Sequence, residues 1–108
     1  MIRWIRENYG EPLRIEDLDR LAGLSTSSFH RNFRAATSMS PIQFQKQIRL
    51  QKARLLLADR THDVTTTAHR VGYVSPSQFS REYRRQFGNP PSVDAAQLRH
   101  RSPEPALP

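Results

Sequence analysis

One property restricts this chain more than any other: it repeats itself. Phe29, Arg31, Phe33 and Arg34 stand 50 residues before Phe79, Arg81, Tyr83 and Arg84 (29 to 79, 31 to 81, 33 to 83, 34 to 84). Ser25 and Ser27 precede Ser75 and Ser77 by the same 50, and Pro41 lands on Pro91. Upstream the offset is 49, pairing Ile15 with Val64 and Gly23 with Gly72, so the second copy carries one extra residue in its turn. So many chemically matched positions at one period mark a duplicated unit. With 108 residues in all, each unit must be small and its core thin.

Each copy reads as helix, turn, helix. Residues 1–9 form a short amphipathic helix with Ile2, Ile5 and Tyr9 on one side and Trp4 beside them, closed by Gly10 and Pro12. Residues 13–22 follow, with Ile15, Leu18, Leu21 and Ala22 at helical spacing. Gly23-Leu24 turns, and Ser25 caps a helix running to about Ala36. In the second copy Asp63 caps residues 64–71, Gly72-Tyr73-Val74 turns, and Ser75-Pro76 starts the next helix, closed by Gly88-Asn89. Pro90-Pro91 introduces a last short helix to about Leu98, and the Pro-rich end reads as a disordered tail.

Between the copies lies SPIQFQKQIRLQKARLLLAD, residues 40–59, free of Gly and internal Pro. Its apolar residues make two stripes. With Phe44 at zero and ~100° per residue, Leu55 and Ile48 fall at about 20° and 40°, whereas Ile42, Ala53, Leu57 and Leu50 cluster at about 160° to 240°. Gln45, Gln47, Gln51, Lys52 and Arg54 line the seams. A surface helix buries one face; two opposed faces predict a strut with a lobe on each side. The expected architecture is all-α, with about seven helices. Residues 1–39 make a first helix–turn–helix subdomain, 40–60 a linker helix, 61–98 a second subdomain and 99–108 the tail.

The second helix of each copy carries the chemistry. Phe29 and Phe33 define the buried side of the first, which places Ser27, Arg34 and Arg31 opposite at about 140° to 200°, with His30 on the flank. Phe79 and Tyr83 do the same in the second, turning Ser77, Arg84 and Arg81 outward beside Gln78 and Ser80. Glu82 is the one acid on either helix. Guanidinium, amide and hydroxyl groups without acids between them suit a major-groove reader: Arg forks onto guanine, Gln onto adenine, Ser onto bases or phosphates. Net charge is +7, and 15 of the 17 basic residues are arginine, the side chain that matches phosphate and guanine geometry.

With these residues in place, the chain resembles the DNA-binding domain of the arabinose-regulator (AraC/XylS) family of bacterial transcription factors. The matching residues are Ile15, Leu18, Gly23-Leu24-Ser25, Phe29, Arg31, Phe33, Ser40-Pro41, Phe44, Arg49-Leu50, Ala53 and Leu55-Leu56. The second half adds Ala68, Gly72-Tyr73, Ser75, Ser77, Phe79, Arg81, Tyr83, Phe87-Gly88 and Pro91. The resemblance implies two helix–turn–helix lobes, each sending its second helix into the major groove of double-stranded DNA. By position it implies base contacts from Ser27, His30 and Arg31 and from Ser77, Gln78 and Arg81. Phosphate contacts are expected from Ser25, Arg34, Ser75, Ser80, Arg84 and Arg85. RNA polymerase is a second partner expected of activators in this family. Three residues depart from the pattern: Asp19 stands in place of a small alanine against the turn, Thr67 in place of an aliphatic residue, and Asp94 in place of a tyrosine, which puts the closing helix in question. Family members carry a sensing or dimerising domain upstream; here the chain starts at the first DNA-binding helix.

Other classes fit less well. His30, His62, His69 and His100 lack metal-ligand spacing, and no thiolate or phosphate-cradling glycine loop is present, so neither an enzyme nor a cofactor is expected. The chain has no cysteine and no apolar run long enough to span a bilayer, and the expected location is cytoplasmic. A protein-interaction module, its basic faces docking an acidic partner such as a polymerase subunit, is the competing reading. If the strut is rigid, one chain should bind two successive major-groove segments as a monomer.

Overall fold

The structure, a computed structural model, describes residues 2–23 and 25–101, with the side chains at 15, 19, 21, 22, 26 and 101 outside that description. Seven helices follow one another without a strand among the described residues: α1 (Ile2–Glu7), α2 (Ile15–Ala22), α3 (Thr26–Thr37), α4 (Pro41–Leu57), α5 (Val64–Arg70), α6 (Pro76–Phe87) and α7 (Pro91–Arg101). The all-α architecture expected from the repeat is what is found. The chain divides into two compact units, residues 1–48 and 49–108, and the boundary falls inside α4. Expectations for Leu24, for the Asp19 side chain and for residues 102–108 lie outside the described residues.

In the first unit, Ile5, Leu18, Phe29, Phe33, Phe44 and Ile48 form one buried cluster, with Ile2, Trp4, Tyr9, Leu13 and Met39 packed against it. The rings interlock: Phe29 and Phe33 lie 5.7 Å apart by centroid, and Phe44 meets Phe33 edge to face at 5.5 Å and 82°. Full burial of such side chains stabilises by about 1.5–3 kcal/mol each. α4 starts with a reciprocal cap, in which Ser40 Oγ accepts from the Gln43 N–H and Gln43 Oε1 accepts from the Ser40 N–H.

The second unit buries Leu50, Ala53, Leu57, Ala68, Val71, Tyr73, Phe79, Tyr83 and Ala95, together with the polar Thr67 and Asp94. α5 is capped by Asp63, whose Oδ1 accepts from the Thr66 N–H at 2.6 Å. α6 is capped by Ser75, with Pro76 at the start, and ends on Gly88 at φ 89°, whose N–H reaches the Arg84 carbonyl. Ser38 does the same for α3 at φ 63° without the freedom of a glycine.

Five expectations need correcting. The closing helix forms, because Asp94 is not a misfit: it is 4% exposed, accepts from the Tyr83 hydroxyl and pairs with Arg54 Nε at 3.1 Å. That helix also runs to Arg101 rather than Leu98. Arg99, assigned above to the tail, instead donates to the carbonyls of Leu57, Asp59 and His62. The two-stripe reading of α4 holds for Phe44 and Ile48 in the first unit and for Leu50, Ala53 and Leu57 in the second. It fails for Leu55, 69% exposed, and Ile42, 47% exposed. A helical wheel gives angle but not axial position. Leu55 has the angle of Phe44 but lies 11 residues on, roughly 16 Å along the axis, beyond the end of the first unit. Gln45 was placed on a seam, yet it is buried, donating Nε2 to the carbonyls of Tyr9 and Glu11 and so fixing the loop after α1.

Candidate nucleic-acid interface

α3 and α6 are built alike because their sequences are alike. Each begins at a serine cap, buries two aromatics one turn apart and turns arginines the other way. Ser25 Oγ accepts from the Ser28 N–H at 3.3 Å, and Ser75 Oγ accepts from the Gln78 N–H at 3.2 Å. Those oxygens therefore hold helix starts, and the Ser25 hydroxyl also donates to Ser28 Oγ at 3.1 Å. Phe29 and Phe33, and Phe79 and Tyr83, anchor the inner faces.

On the outer faces, Ser27, His30, Arg31 and Arg34 of α3 are exposed, as are Ser77, Arg81, Arg84 and Arg85 of α6. Gln78 and Ser80 are half-buried. Arg31 lies beside Ser28, with Nη2 donating to its Oγ at 3.3 Å, and the His30 ring stands edge-on to Phe29 at 5.8 Å. The exposed members lie on α3 in the first unit and on α6 in the second.

Three residues that the sequence reading did not assign to the site sit directly behind it. Glu82 Oε2 accepts from Gln78 Nε2 at 2.8 Å, and Glu82 Oε1 accepts from the Tyr73 hydroxyl at 2.9 Å. Arg49 of α4 lies over the Tyr73 ring, 5.8 Å from its centroid. Burial first, then the hydrogen bond to Glu82, pushes the Tyr73 phenol well above its ordinary value, so it stays a neutral donor. Desolvation lowers Arg49, opposed by the attraction of Tyr73 and Glu82. The legible signal was the i, i+4 spacing of Gln78 and Glu82; nothing local announces Tyr73 or Arg49. His69 Nδ1 donates to the Tyr73 carbonyl at 3.1 Å, bracing the turn from α5.

Two helix–turn–helix units, each with a helix whose outer face is basic, match a class of nucleic-acid-binding fold. A family model described as a helix-turn-helix domain matches residues 18–97. The chain belongs to the AraC/XylS-type family of helix–turn–helix DNA-binding domains. The HTH-type transcriptional activator RhaS of Salmonella schwarzengrund (strain CVM19633) is 32% identical over 87 residues, which cover 81% of this chain and 31% of that protein. The chain therefore spans about a third of the length of the curated relatives it matches. Among solved structures, the DNA-binding domain of AdpA, a global transcriptional factor in complex with a target DNA, superposes with a TM-score of 0.87 at 32% identity, covering 95% of this chain and 93% of that one. A probable AraC family transcriptional regulator from Rhodopseudomonas palustris CGA009 gives 0.80 at 32% identity over 90% and 92% of the two chains.

Proposed function

We propose that this chain is the DNA-binding part of a transcription regulator and that α3 and α6 each enter the major groove of duplex DNA. The observation that carries the reading is the repeated outer face: two serine-capped helices, each with aromatics inward and arginines outward. The structural likeness to a domain solved with its target DNA supports it. In this reading Ser27, His30 and Arg31, and Ser77, Gln78 and Arg81, meet base edges. Ser25, Arg34, Ser75, Ser80, Arg84 and Arg85 meet phosphates.

Binding to duplexes selected from a random pool tests it. With ~5–8 phosphates engaged, log K should fall with log[salt] at a slope of about −4.5 to −7; a salt-independent affinity would overturn the proposal. Arg81→Ala should cost roughly 1–3 kcal/mol on the selected site and relax preference at one or two base pairs, whereas Arg84→Ala should weaken all sequences alike. The proposal extends to site geometry. α4 is one unbroken helix of 17 residues, about 25 Å long, begun in one unit and finished in the other. Acting as a ruler, it would let one chain bind two successive groove segments as a monomer. Inserting five base pairs between the half-sites should abolish joint binding, and inserting ten should not restore it. Recovery at ten, or two chains on the parent site, would refute the ruler.

A further inference from the structure

Glu82 stands out on a face chosen for positive charge, and its surroundings assign it a task. Among its partners, Oε1 takes the Tyr73 hydroxyl at 2.9 Å and Oε2 takes Gln78 Nε2 at 2.8 Å. An ionised carboxylate only accepts hydrogen bonds, whereas a glutamine amide has one donating and one accepting end. The Gln78 amide therefore has a single orientation at this site: nitrogen toward Glu82, oxygen away from it. Tyr73 holds the carboxylate from behind, and Arg49, stacked on the Tyr73 ring, attracts the same negative charge.

We propose that Glu82 is a positioning residue for sequence recognition, orienting the Gln78 amide so that its oxygen is offered to the base edge. The inference rests on Gln78 being a base reader. An offered oxygen asks for a donor. In the major groove the exposed donors are the amino groups of adenine and cytosine, while guanine O6 and thymine O4 are acceptors. A mobile glutamine can reverse its amide and offer either end; one held by Glu82 keeps its oxygen outward and its one remaining N–H on the nitrogen beside the carboxylate. The site read by Gln78 should thus favour an amino-bearing base over a keto-bearing one. The first unit has no counterpart, because the positions 50 residues earlier hold Ser28 and Asn32. Recognition by α3 is accordingly free of this constraint.

The test uses the full chain and a panel of duplexes differing one base pair at a time within the selected site. Gln78→Ala identifies the base pair at which discrimination disappears. At that pair the unaltered protein should prefer adenine or cytosine by about tenfold over guanine or thymine. Glu82→Gln, which keeps the shape but allows the neighbouring amides to reverse together, should reduce that preference to about twofold or less while leaving the other positions unchanged. If Gln78→Ala alters no position, Gln78 is not a base reader, and the assignment beneath the inference fails. If Gln78→Ala acts at one pair and Glu82→Gln keeps full discrimination there, the reader stands and the positioning role falls. Equal weakening on every duplex would likewise overturn it, since that is what a general change in charge or folding does. One measurement needs no variant: in the NMR spectrum of the free protein, one Gln78 side-chain N–H hydrogen should lie downfield of the ordinary glutamine side-chain range, and two hydrogens within that range would refute the lock.

Discussion

The two units close the same gap with opposite chemistry. Phe33 and Phe44 in the first correspond by the 50-residue offset to Tyr83 and Asp94 in the second (33 to 83, 44 to 94). In the first unit the pair is two rings meeting edge to face at 5.5 Å. In the second it is a tyrosine hydroxyl donating to a buried carboxylate at 2.5 Å, with Arg54 supplying the countercharge from α4 and lying 4.9 Å over the Phe87 ring. Ring packing leaves no polar group to satisfy and no charge to desolvate. The carboxylate must be satisfied completely to be tolerated, since a buried charge without partners is expensive. One backbone thus accepts either solution, provided the polar one arrives with all its partners. Burial first, then the Asp94 hydrogen bond, keeps the Tyr83 phenol protonated far above its ordinary range.

Breaking each pair should separate the two solutions. Phe44→Ala should cost the first unit about 3–5 kcal/mol, the transfer term plus a cavity. Asp94→Ala should cost the second about 2–4 kcal/mol: Tyr83 loses its acceptor in a dry site, while Arg54, 40% exposed, partly recovers solvent. Amide hydrogen exchange resolves the units, with protection lost in α6 and α7 but not α3 for the second variant. A Tyr83→Phe, Asp94→Asn double-mutant cycle should show coupling of about 0.5–3 kcal/mol, and none would mean the pair is idle.

A second matched position offers a gain rather than a loss. Thr67 answers Leu18 by the 49-residue offset (18 to 67), and both are fully buried. Thr67 Oγ1 has no hydrogen-bond partner among the described residues, so its hydroxyl is desolvated without return. Thr67→Val keeps the shape and removes the unsatisfied group, and should stabilise by about 1–2 kcal/mol in urea unfolding. No change would place an ordered water at that oxygen.

The helix ends differ more mildly. α3 closes on Ser38 at φ 63° where α6 closes on Gly88 at φ 89°. Ser38→Gly should stabilise by about 0.5–1 kcal/mol, and Gly88→Ser should cost about as much. Space around Gly88 is open, so the backbone conformation alone sets the penalty. Melting temperatures moving in opposite directions would confirm the symmetry.

The smallest effect is on acid stability. α5 has Asp63 at its cap, whereas Arg14 holds the matching place before α2 (14 to 63). The Thr66 hydrogen bonds hold the Asp63 carboxyl below its ordinary value. Such a group contributes fully above the usual aspartate range, near pKa ~3.9, and its contribution is lost as pH falls through the lower folded value. Protection of the Thr66 amide, relative to its intrinsic exchange rate, should therefore fall below about pH 4, and an Asp63→Asn variant should show no such acid step.

The sequence alone determined the duplication, the helix–turn–helix order, the serine caps and the outward arginines. Each of these is a local pattern, written in spacings shorter than a few turns or in the comparison of one copy with the other. Tertiary structure alone decided what happens where distant segments meet. Leu55 has the right angle yet is 69% exposed, and Gln45 is polar yet buried on two carbonyls. Arg99 belongs to the fold through three carbonyls some 40 residues away, at 57, 59 and 62. Asp94 is legible as a departure from pattern, but its acceptability depends on Tyr83 and Arg54 arriving from two other helices. Periodicity says which face a residue occupies; only the packed chain says whether anything covers that face and whether a buried polar atom finds its partner.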